Sequence, residues 1–141
     1  TAKILHEALL DQKFDARLIG NIGNPVLSEK KITNKTIFVI EASSYQLDYS
    51  KIFTSKYAAI LNIRPDHIER HKNLKNYINA KFKLLFSQSK ESIAFVKKND
   101  QLISKTIIKS NLKQKIIKVD SLKISKVLNQ INNKYFVLLI L

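Results

Sequence analysis

TIFVIEASSYQLD at residues 36–48 and AAILNIRPDHIERH at residues 58–71 decide the fold. Each opens with a short apolar run and stops abruptly at polar residues, the pattern of a strand buried on both faces of a parallel sheet. In an open α/β sheet, ligands bind beyond the carboxyl ends of such strands. Glu41 stands at the first exit, and Asn62, Asp66 and His67 stand at or just past the second. Read as neighbours, the two strands offer a carboxylate and an imidazole to one crevice, ligand types that suit a divalent metal.

Working outward, Leu5, Ala8 and Leu9 lie on one face of a helix over 2–12, with Thr1 placed to cap it. A short strand over 16–20 ends in the loop GNIGNP at 20–25, which holds both glycines of the chain and one of its two prolines. Glycine and asparagine there allow positive φ and close approach of the backbone to a ligand. Strands over 36–41 and 57–63 follow, then a helix over 74–87, a strand over 92–96, a helix over 99–109, and strands over 115–119 and 135–141. The alternation predicts an α/β fold, a mostly parallel sheet with helices on both faces.

At 141 residues and 45% hydrophobic, the chain suffices for one domain with a real core. It has no cysteine, which excludes a disulfide framework and a zinc-thiolate site and fits a reducing cytosol. No apolar run reaches the length of a membrane span, and residues 1–20 lack the features of a signal peptide. A soluble, cytoplasmic protein with no membrane partner is expected.

The net charge of +14 invites a nucleic-acid reading, because a basic surface attracts polyanions through counterion release. The excess comes from 22 lysines and only three arginines, scattered among isoleucines and asparagines. RNA-binding surfaces usually interleave arginine and stacking aromatics, a pattern not seen here. A solvated lysine-rich surface, with no nucleic-acid partner, is the reading that follows.

Lys81 is the most anomalous single residue. Leu74, Tyr77, Ile78 and Leu85 form an apolar stripe on the helix over 74–87, and Lys81 falls in its middle. A lysine so placed must snorkel, pair or lose its charge. Beside a metal-bearing crevice a neutral amine can be covalently modified or act as a base; the plainer reading is a packed stem whose head reaches water. His67 follows Asp66, a carboxylate able to orient its ring. His6 and His71 lack such context and read as surface or packing residues. Glu41, Ser43 and Ser44 each have a helix-capping reading beside the functional one.

GNIGNP (20–25), EASSYQL (41–47), LNIRPDHIERH (61–71) and YINAK (77–81), in this order and spacing, resemble the central domain of the Mur ligases, a P-loop NTPase-like fold. The resemblance spans roughly residues 1–96. The tyrosine and glutamine of SSYQL and the basic pair of DHIERH favour the member that adds D-glutamate. The resemblance implies that Glu41 is a magnesium ligand near the β- and γ-phosphates of ATP and His67 the ligand of a second magnesium. It implies that Lys81 is carbamylated and faces the metal, and that Asn21, Ser43 and Gln46 hold the UDP-muramoyl substrate. UDP-N-acetylmuramoyl-L-alanine, D-glutamate and ATP are then the reactants, and the intact enzyme is expected to be a monomer. A sister Mur ligase or a folylpolyglutamate synthase is the nearest rival, and a non-catalytic basic nucleic-acid-binding module is the rival of a different class.

The family's glycine-rich phosphate loop is expected immediately before Thr1. Residues 1–141 therefore read as a partial central domain, with the N-terminal UDP-binding and C-terminal domains outside it. By themselves these residues are expected to bind ATP weakly or not at all and to have no ligase activity. YFVLLIL at 135–141 is expected as an exposed apolar strand able to pair between molecules.

Overall fold

The computed structural model describes residues 1–64, 68–120 and 136–140. Helix α1 (Ala2–Asp11) leads into β1 (Ala16–Gly20), and a loop with a single helical turn at Val26–Ser28 leads to β2 (Ile37–Glu41). Then come α2 (Ser44–Tyr49), β3 (Tyr57–Ile60), α3 (Ile68–His71), α4 (Leu74–Phe86), β4 (Ile93–Lys97), α5 (Gln101–Lys109), β5 (Lys115–Val119) and β6 (Phe136–Ile140). Among the described residues the six strands form one sheet in the order β1-β2-β6-β3-β4-β5, with every pair parallel.

From β1 to β5 the chain steps across the sheet in one direction, so right-handed crossovers place successive helices on the same face. The packing follows that rule. Leu47 of α2, Tyr77, Phe82, Leu84 and Leu85 of α4, and Ile103 of α5 cover Ala58, Ile60, Ala94 and Val96. On the opposite face Ala2, Leu5 and Leu9 of α1 pack with Ile37, Val39, Tyr57, Ala59 and Phe95. The two-residue period of β3 divides its four buried residues between these clusters. Helices on both faces of a parallel α/β sheet are as the sequence predicts.

Three expectations need correction. β2 and β3 are not neighbours, because β6 lies between them, pairing Glu41 with Ile140 and Ala59 with Ile140. The two exits are therefore two ladder spacings apart, about 10 Å. β6 is also not left to pair between molecules: both of its ladders are filled, by β2 and by β3. Finally, β3 ends at Ile60, not at residue 63. Residues beyond it leave the sheet, and the Ile63 N–H turns instead to the Asp100 carboxylate (3.3 Å).

Candidate functional site at the carboxyl edge of the sheet

The loop after β1 folds back on its own strand. Gly20 N–H donates to Asn24 O (3.2 Å) and Asn24 N–H to Leu18 O (3.0 Å), with Gly20 and Gly23 at φ of 106° and 80°. Asn24 is held in turn by Glu29, whose carboxylate accepts from Asn24 Nδ2 (2.8 Å) and Arg17 Nη1 (3.5 Å). The loop is thereby fixed against the next strand: Asn21 N–H donates to Glu41 O at 2.6 Å. Glu41, half-buried, projects from the last position of β2. Among the described residues no ion pair occupies its carboxylate.

Two residues further on, Ser43 caps α2. Gln46 N–H donates to Ser43 Oγ (3.2 Å) and Ser43 N–H donates to Gln46 Oε1 (2.8 Å), a reciprocal capping box. The expected substrate residues Ser43 and Gln46 thus bond each other through their acceptor atoms. The Ser43 hydroxyl proton and the Gln46 amide N–H groups are not used in the box. Gln46 also lines an open, mainly apolar groove of about 550 Å³ with Gly20, Val26, Tyr45 and Phe53. Ser44 is not a cap: it is buried, and its Oγ lies 3.0 Å from His71 Nε2.

Lys81 belongs to the exit of β3. On α4 it is 9% exposed, and its amine donates to Asn62 O at 3.5 Å while lying over the Tyr77 ring, 5.1 Å from the centroid. It lies on the buried face, as the apolar stripe of the helix predicts. Its head turns toward the carboxyl edge of the sheet, not toward water at the helix end. The strand-exit geometry therefore groups Asn21, Glu41, Ser43 and Gln46 at β1 and β2, and Lys81 with Asn62 at β3. His67 and the neighbouring Asp66 lie outside the described residues.

Two features escaped the sequence reading. Asp100 caps α5, accepting from Ile103 N–H (3.0 Å), and with its other oxygen holds the segment that leaves β3. An aspartate just before an amphipathic run is a helix-start signal that could have found it. Around His71, which does prove to be a packing residue, the rings of Tyr45 and Tyr77 close in. Arg70 stacks over Tyr45 at 4.7 Å and donates to the Tyr49 hydroxyl (3.0 Å), a bond that raises its already high pKa. Contacts of this kind, between helices distant in sequence, have no periodic signature. Among the described residues no three His, Cys, Asp or Glu side chains group as a metal cluster, and no helix is long and apolar enough to cross a membrane.

The parallel sheet, the glycine loop against β2, the capped EASSYQL turn and the buried lysine on α4 define one class of protein. Residues 1–136 match the Mur ligase middle domain, and the chain belongs to the Mur ligase family. Its relatives include the UDP-N-acetylmuramoylalanine--D-glutamate ligase of Rickettsia bellii (strain RML369-C), 37% identical over 131 residues, which cover 92% of this chain and 28% of that protein. Enzymes of the same name from Thermosipho melanesiensis (37% over 110 residues, 75% of this chain and 25% of that protein) and Clostridioides difficile (33% over 114 residues, 80% and 25%) are also similar. The chain spans about a quarter of the length of these relatives.

Proposed function

We propose that these residues form the central, ATP-binding part of a ligase that joins D-glutamate to UDP-N-acetylmuramoyl-L-alanine in peptidoglycan precursor synthesis. The observation that carries this reading is the buried amine of Lys81, turned to the carboxyl edge of the sheet beside Asn62. In that place the amine nitrogen can add to carbon dioxide and release a proton, leaving on Lys81 a carbamate anion that would help to hold a metal. Glu41 would supply a hard oxygen ligand to magnesium, with phosphates completing the shell, and His67 would serve a second ion. The spacing of about 10 Å between the strand exits suits two ions better than one shared ion. When bound, magnesium neutralises charge on the phosphoryl oxygens and sets the substrate carboxylate against ATP.

Asn21, Ser43 and Gln46 hold the UDP-muramoyl substrate, with the hydroxyl and amide donors that the capping box does not use. The substrate carboxylate takes the γ-phosphoryl group of ATP to become an acyl phosphate, and ADP leaves. The amine of D-glutamate then attacks the acyl carbon, and phosphate leaves. The enzyme acts as a cytoplasmic monomer, with separate domains for the UDP moiety and the incoming amino acid.

In the complete enzyme, Lys81→Ala loses most turnover and regains part of it when a short carboxylate such as acetate takes the place of the carbamate. Glu41→Ala and His67→Ala lose turnover without rescue and keep the fold. Wild-type rates in unrescued Lys81→Ala contradict the assignment.

A further inference from the structure

Lys81 is not held by α4 alone. Tyr77, one turn earlier on the same helix face, is 4% exposed and presents its ring to the amine. The Tyr77 ring meets His71 edge-on, with centroids 5.5 Å apart and planes at 63°. His71 is itself buried, stacks flat on Tyr45 (5.3 Å, 7°), and lies with Nε2 3.0 Å from Ser44 Oγ. Asn76 Nδ2 donates to His71 O (2.9 Å) and fixes the backbone there. A continuous line of packed groups runs from the start of α2 through His71 and Tyr77 to Lys81.

We infer that His71 is a positioning residue for Lys81: it locks the Tyr77 ring in the orientation whose face holds the amine at the Asn62 carbonyl. A buried imidazole costs more than a hydrocarbon of similar size unless its nitrogens are satisfied. An aliphatic side chain would fill the same space but could not be aimed. The bond to Ser44 fixes the ring, and two aromatic contacts pass that orientation to Tyr77. The ring face then holds the cation electrostatically in a site shielded from water. This inference rests on the reading of Lys81 as the reactive lysine but concerns only where its amine is held.

The test is competitive acetylation of the complete protein in bicarbonate-free buffer, read lysine by lysine by peptide mass spectrometry. In the wild type, Lys81 reacts more slowly than exposed Lys75 on the same helix. Tyr77→Leu and His71→Leu raise the Lys81 rate about tenfold, the factor a shielded cation–π contact supports, and Lys75 does not change. Tyr77→Phe, which keeps the ring face, leaves Lys81 slow. So does Phe95→Leu, a core change on the other face of the sheet, which separates positioning from general loosening. Ser44→Ala, which removes only the bond that orients His71, raises the rate by a smaller factor and decides the matter if His71→Leu does not fold. An unchanged Lys81 rate in folded His71→Leu or in Ser44→Ala overturns the inference. Because carbon dioxide is excluded, the labelling pattern stands whether or not Lys81 is carbamylated.

Discussion

A Cβ placed on Gly20 would lie 2.4 Å from the carbonyl oxygen of Glu41. The glycine at the exit of β1 is what lets the loop over 20–25 close onto the end of β2, where Asn21 N–H reaches the same carbonyl. Gly20→Ala therefore meets a backbone clash and an unfavourable φ of 106° together. We expect it to destabilise the fold by about 1–3 kcal/mol and to displace Glu41. Urea unfolding measures the first effect, and an unchanged midpoint contradicts the loop geometry.

The capping box makes a separate prediction for Ser43. Removing its hydroxyl leaves the Gln46 N–H without its cap at the start of a six-residue helix. Ser43→Ala is expected to cost about 1 kcal/mol. Ser43→Asp, which keeps an acceptor, should recover most of that stability but, if Ser43 donates to a phosphate-bearing substrate, not the substrate affinity. Equal loss of stability in both variants contradicts the capping role.

At the opposite end of the sheet, Asp15 accepts from the Thr36 hydroxyl (2.7 Å) and from Arg17 Nε (2.8 Å). The Thr36 bond first, and then Arg17, holds its carboxyl below the ordinary carboxylate range. A lowered folded pKa means that the stabilisation is complete above the unfolded value of about 4 and is lost as pH falls through the folded value. Asp15→Asn should be less stable than the wild type by about 1 kcal/mol at neutral pH. The gap should narrow as pH drops below about 4. Unfolding midpoints at neutral and acid pH test this, and a pH-independent gap contradicts it.

Local signals carried most of the fold. Apolar runs place each strand to within a few residues, and the 3.6-residue stripe on α4 puts Lys81 on the buried face. What could not be read was lateral order. Nothing in the residues of β2 and β3 says that β6, the better part of a hundred residues along the chain, inserts between them, because strand order depends on which faces the crossovers cover. The site was legible to the same degree. Position alone puts Glu41 at a strand exit and Lys81 on a buried stripe, whereas the line from Ser44 through His71 to Tyr77 joins three helices and is visible only once they are packed. The SxxQ pattern at Ser43 and Gln46 did carry a local capping signal. This pair of side chains has donors and acceptors enough for both capping and a substrate.

The proposed reaction is tested by phosphate release from the complete enzyme given ATP, magnesium and UDP-N-acetylmuramoyl-L-alanine, with candidate amino acids supplied one at a time. Release is expected to depend on D-glutamate, to yield one amide product per phosphate, and to be lost in Glu41→Ala and Lys81→Ala. Release that depends on a different amino acid, or none with D-glutamate in a folded enzyme, would contradict it.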